Sequence, residues 1–116
     1  MELNDVDRAR TRLFAINLRL AELDGEMRRT QARVHHLESQ LEDARLAHLM
    51  GDRAAGDPET IGPELERSRG SLESQQAVVE RVKKSQWKAR VEYTMLRAQQ
   101  HRAARLAEGA GAEEPS

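Results

Sequence analysis

The chain has 116 residues, of which 34% are charged and only 3% aromatic, so it is one domain at most and lacks the bulky side chains of a thick globular core. With no cysteine, disulfides and thiolate metal sites are excluded. The first residues are acidic and carry no apolar run of the signal-peptide kind, and the longest fully apolar run, Leu13-Phe14-Ala15-Ile16, is far short of a membrane span. A soluble, cytoplasmic protein with no membrane span is the expectation.

The first predicted element is a helix over residues 4–50. Asn4 or Asp5 can cap it, accepting from unpaired N–H groups, and Asp5 and Asp7 set negative charge at the positive end of the helix dipole. Apolar residues recur at Val6, Ala9, Leu13, Ile16, Leu20, Leu23, Met27, Val34, Leu37, Leu41 and Ala44, and with Thr30 included the steps alternate 3 and 4 without a break. That is a heptad seam, the pattern of a helix laid along another helix. Gly25 lies off the seam and is read as one weak position, at a cost of about 1 kcal/mol.

Residues 51–62 are predicted as a turn. Gly51 is placed to end the first helix in a left-handed conformation. Asp57-Pro58-Glu59 reads as a cap with a first-turn proline, opening a short turn to Ile61. Gly62-Pro63 is expected to interrupt again, because the residue before a proline avoids helical angles.

The second helix is predicted over 63–108. Its seam runs Leu65, Ser68, Leu72, Gln75, Val79, Val82, Gln86, Ala89, Tyr93, Leu96, Gln100, Ala103 and Ala107. Ser68 and the glutamines at core-type positions weaken the seam and help fix its register. Gly70 could kink the early turns, and Gly109 and Gly111 are expected to end the helix, leaving 109–116 as a disordered acidic tail. The predicted fold is all-α, an antiparallel two-helix coiled-coil hairpin over 4–108, with dimerisation into a four-helix bundle as a further expectation. A parallel dimer, in which the turn only interrupts a longer rod, is the competing architecture.

Both helices carry more apolar residues than one seam uses. Phe14, Leu18 and Ala21 form a row beside the first seam, and Trp87, Val91, Met95 and Ala98 a row beside the second. Pairing Met50 with Pro63 puts Phe14 level with about residue 99 and Leu18 with about 95, so both rows fall at the open end, away from the turn. Exposed apolar patches on a soluble rod mark interaction surfaces, so Phe14, Leu18, Trp87, Val91 and Met95 are the candidate contact residues. The plainer alternative is that these residues merely flank the seam.

Charge is divided along the hairpin. Residues 36–80 hold ten acids against four arginines, whereas 1–35 with 81–108 hold fifteen basic residues against eight acids. On the same pairing, the group Arg28, Arg29 and Arg33 comes level with the group Lys83, Lys84 and Arg81, a mid-shaft basic belt able to hold phosphates or an acidic protein. The alternative is a solvated face partly neutralised by Glu22, Asp24, Glu26 and Glu92. Asp52, Asp57 and Glu59 form an acidic tip at the turn.

No catalytic or cofactor pattern is present. His35 and His36 are adjacent and point about 100° apart on a helix, so they do not share a metal easily, and residues 51–56 lack the Lys-Ser/Thr that completes a phosphate loop. No catalytic, cofactor-binding or metal-binding residue is assigned, and the chain is not expected to be an enzyme. The leading expectation is a coiled-coil adaptor, scaffold or assembly protein that contacts another protein, a second copy first, at its open end. Nucleic-acid or anionic-surface binding through the basic belt is the alternative. In length, composition and outline the chain is similar to small helical-hairpin families such as stalk and chaperone proteins of flagellar and type III export, without a motif that identifies one. A third reading follows from a weaker resemblance: hairpin regulators of RNA polymerase of the Gre type present tip carboxylates to a metal ion, as Asp52, Asp57 and Glu59 would here. That family's own tip motif is absent.

Overall fold

A computed structural model describes residues 4–52 and 56–112, with side chains as far as Gly109. They form two helices, α1 (Asp5–Leu49, 45 residues) and α2 (Pro58–Ala112, 55 residues), with no strand among the described residues. The helices fold back on each other as an antiparallel hairpin: Arg12 meets Glu92, and Asn17, further along α1, meets Gln86, earlier in α2. Contacts gather into two compact units, a terminal unit of Met1–Leu20 with Val82–Ser116 and a turn unit of Ala21–Arg81.

The ends of the helices follow local chemistry. Asn4 caps α1, its Oδ1 accepting the Asp7 N–H at 2.8 Å. At the other end the Asp52 N–H donates to the Ala47 carbonyl (2.8 Å) and the Gly51 N–H to the His48 carbonyl (3.1 Å), with Gly51 at φ 81°. This is a Schellman motif, and its left-handed residue is a glycine because a Cβ there would crowd the carbonyl. Asp57 caps α2 in turn: Oδ1 accepts the Glu59 N–H at 3.0 Å, and the Asp57 carbonyl accepts the Ile61 N–H at 3.1 Å.

The cap at Asp57 therefore opens α2 itself, not a separate turn, and α2 starts five residues before the expected Pro63. Pro63 lies inside the helix. Two factors make this tolerable. Gly62 has no Cβ to clash with the proline ring, and the missing N–H removes a single bond, the one to the Glu59 carbonyl, in the second turn. Gly25 and Gly70 also sit within continuous helix. Gly109 and Gly111 do not end α2, which reaches Ala112 with alanines, the strongest helix formers, between and after them. Residues 113–116 of the expected acidic tail lie outside the described residues.

Both seams are buried where they face each other. In the terminal unit Val6, Ala9 and Ala89 are at most 7% exposed, and Leu13, Ile16, Leu20, Val82, Gln86, Tyr93 and Leu96 are half-buried. In the turn unit Val34, Leu37, Leu41 and Leu65 form the core cluster, with Ile61 and Leu72 packed against it. Ser68 is buried at its seam position. Gln86 satisfies its amide by donating to Asn17 Oδ1 at 2.7 Å, whereas Gln75 Oε1 is buried without a hydrogen-bond partner. The two glutamines thus differ: one fixes register through a bond, the other lowers stability through an unmet acceptor.

The register differs from the expected one. Arg12 with Glu92 and Asn17 with Gln86 put Phe14 opposite about residue 90 and Leu18 opposite about 86, some ten residues from the expected levels. By the same register Asp5 falls opposite about residue 98, so the end of α2 has no α1 residue alongside it. Gln100, Ala103 and Ala107, expected in the seam, are accordingly exposed.

Candidate interaction surface

Large apolar side chains left in water are the most informative feature of the terminal unit. Phe14 is 69% exposed, Leu18 54%, Trp87 65%, Val91 38% and Met95 58%. They are excluded from the seam by the helical repeat. Phe14 follows Leu13 by one residue and Trp87 follows Gln86 by one, so both point about 100° away from a side chain that faces the partner helix. In an antiparallel pair, positions just after equivalent seam residues lie on the same flank. The Asn17–Gln86 hydrogen bond marks that flank, with Gln86 next to Trp87 in sequence and Asn17 one turn on from Phe14.

The observed register changes which part of the α2 row faces the α1 row: Phe14 and Leu18 lie level with the Trp87 end instead of with Met95 and Ala98. Phe14 and Leu18 span the heights of about residues 90 and 86, the same stretch that holds Trp87 and Val91. On α2, Trp87, Val91 and Met95 line a shallow groove of about 420 Å³, with Lys88 and Glu92 beside it. The Glu92 carboxylate is held by Arg12 at 2.9 Å, so a fixed ion pair borders the groove.

The six residues of the expected basic belt are distributed differently. Arg28, Arg29, Arg33 and Arg81 belong to the turn unit, Lys83 and Lys84 to the terminal unit. Within the terminal unit, Lys83 and Lys84 stand opposite about residues 20 and 19, not 30 and 29. Arg28 is paired with Asp24 at 2.9 Å and Arg33 with Glu64, and Arg81 and Lys83 interact with neighbouring groups as well. Arg69, outside the expected belt, bridges Glu38 (3.3 Å) and Glu66 (3.0 Å), and the hydrogen bond to Glu38, then that to Glu66, holds its guanidinium pKa above the ordinary value.

At the acidic tip, Asp57 uses its carboxylate as the cap of α2, Glu59 is exposed in the first turn, and Asp52 interacts with a neighbour. Among the described residues no three His, Asp or Glu side chains gather closely enough to hold a metal ion. Among the same residues no helix is long and apolar enough to cross a membrane.

A second exposed apolar group, not singled out from the sequence, occurs in the turn unit. Leu46 is 54% exposed, and Leu49 and Met50 are each 84% exposed. Their spacing, i, i+3 and i+4 off the seam positions Leu41 and Ala44, was a visible signal. Leu49 also lines a groove of about 460 Å³ with Arg45, His48, Asp57, Pro58 and Glu59. The Schellman turn at Gly51 stops the helix just after Leu49 and Met50, so these side chains gain no further helical neighbours.

No protein-family model, curated protein or solved structure matches the chain.

Proposed function

We propose that the chain is a non-enzymatic coiled-coil adaptor or assembly protein that acts through protein–protein contacts at the terminal unit. The observation that carries this reading is the exposure of five large apolar side chains, Phe14, Leu18, Trp87, Val91 and Met95, beside seam residues of α1 and α2 that are buried or half-buried against each other. A soluble protein rarely leaves an aromatic pair and three aliphatic side chains in water in one region without a partner for them. Trp and Phe dominate the energetics of such contacts because they cover much area with few rotatable bonds. The ion pairs of Arg28 and Arg33 give phosphate binding less support, since an anion would have to displace a bound carboxylate.

The test is the double variant Phe14→Ala, Trp87→Ala, followed by sedimentation and by binding to whatever co-purifies from the native host. The expected result is loss of assembly or capture with helical content unchanged. Assembly and capture equal to the parent chain would reject the reading.

A further inference from the structure

The partner on this surface can be specified from charge, and the specification rests on the adaptor reading. Each unit carries its own exposed apolar group, Phe14, Leu18 and Trp87 in the terminal unit and Leu46, Leu49 and Met50 in the turn unit. Counted on the units' own boundaries, the terminal unit has eleven basic and seven acidic residues, net +4, and the turn unit has eight basic and thirteen acidic, net −5.

The two apolar groups are therefore set in fields of opposite sign. We propose that the occupant is a second copy of the chain, docked head to tail: Leu46, Leu49 and Met50 of one copy seat against Phe14, Leu18 and Trp87 of the next. A two-fold pairing through terminal units alone would instead bring +4 against +4, and like-charge juxtaposition opposes association. The head-to-tail contact buries two apolar groups at once and pairs unlike charges. The immediate surroundings agree with the totals. At the Trp87 groove Lys88 stands beside Glu92, whose charge Arg12 offsets, whereas at the Leu49 groove Asp57 and Glu59 stand against Arg45. A contact of this kind uses different surfaces on its two sides, so every added copy presents a fresh turn unit and a fresh terminal unit, and the assembly grows as an open chain or closes as a ring.

The geometry makes a mixing experiment decisive. One variant, Leu49→Asp with Met50→Asp, blocks the turn side, and a second, Phe14→Asp with Trp87→Asp, blocks the terminal side. All four positions are more than half exposed, so the helices should form in both, and circular dichroism checks this. Alanine versions of each pair provide a second set in case a new charge perturbs the fold.

The parent chain should assemble beyond a dimer as its concentration rises, and added salt should weaken assembly because unlike charges are screened. Each blocked variant alone should associate about a hundredfold more weakly. Their equimolar mixture should recover a one-to-one dimer and stop there, since it holds one intact turn side and one intact terminal side. If the turn-blocked variant still dimerises alone while the terminal-blocked one does not, head-to-tail docking is overturned and the adaptor reading stands. If the parent chain stays monomeric at every concentration, docking of a second copy is likewise overturned and the surface is left to another protein. If the terminal-blocked variant assembles as the parent does, head-to-tail docking is overturned, and if it also captures co-purifying protein as the parent does, the adaptor reading falls with it.

Discussion

Trp87→Ala separates the contact from the fold. A fully buried tryptophan removes about 150–250 Å² from water, and with 65% of the residue exposed about 100–160 Å² remains for a partner to cover. At about 25 cal/mol per Å² that is about 2.5–4 kcal/mol, or two to three decades in the association constant. The third of the side chain already buried within the unit contributes only about 1–2 kcal/mol to folding by the same coefficient. The variant should therefore lose assembly while its isolated monomer melts only modestly earlier. Sedimentation equilibrium over a wide concentration range reads the first effect, and circular dichroism melting at the lowest concentration reads the second. Trp87 is the chain's one tryptophan, so in the parent its emission should also shift to the blue as assembly proceeds. An unchanged association constant, with emission insensitive to concentration, would refute the assignment of Trp87 to the contact.

Other consequences concern the fold. Leu37→Ala removes a side chain that is 4% exposed at the centre of the turn-unit cluster and should cost about 2–5 kcal/mol in chemical denaturation. Gln75→Leu replaces a buried acceptor that lacks a partner and should raise stability by about 1–3 kcal/mol; a loss would show that the amide is satisfied in solution. Pro63→Ala restores the missing bond to the Glu59 carbonyl and should stabilise the start of α2 by about 1–3 kcal/mol, seen as slower amide exchange from Glu64 onward.

Much of the fold was legible along the chain. The alternation of 3 and 4 between Val6 and Ala44 specifies the buried stripe of α1, because a helix returns the same face to its partner at that interval whatever its neighbours. Asn4, Gly51 and Asp57 also act where their side-chain chemistry predicts, since caps and left-handed glycines depend on a few adjacent residues. Gly62-Pro63 was misleading because the same dipeptide that breaks a helix in general is accommodated when the first residue has no Cβ and the lost bond lies near a helix start.

Exposed rows at Phe14 and Trp87 were likewise readable, as apolar residues that the seam does not use. The spacing of Leu46, Leu49 and Met50 is visible in the sequence but their exposure is not, because the seam spacing of α1 runs on toward its C-terminal end and only the structure shows that these side chains are left uncovered there. The sequence by itself thus determined that two amphipathic helices form, which stripe each buries, and which large side chains the seam leaves over. Only the tertiary structure decided the register between the helices, because a heptad pattern is compatible with several pairings along the hairpin and the contacts of Arg12 with Glu92 and Asn17 with Gln86 select one of them. That register brings the Phe14–Leu18 row to the height of Trp87 and Val91 and leaves Gln100, Ala103 and Ala107 without α1 beside them. Heptads specify which face is buried, but they repeat every seven residues, and the turn sets which repeat meets which.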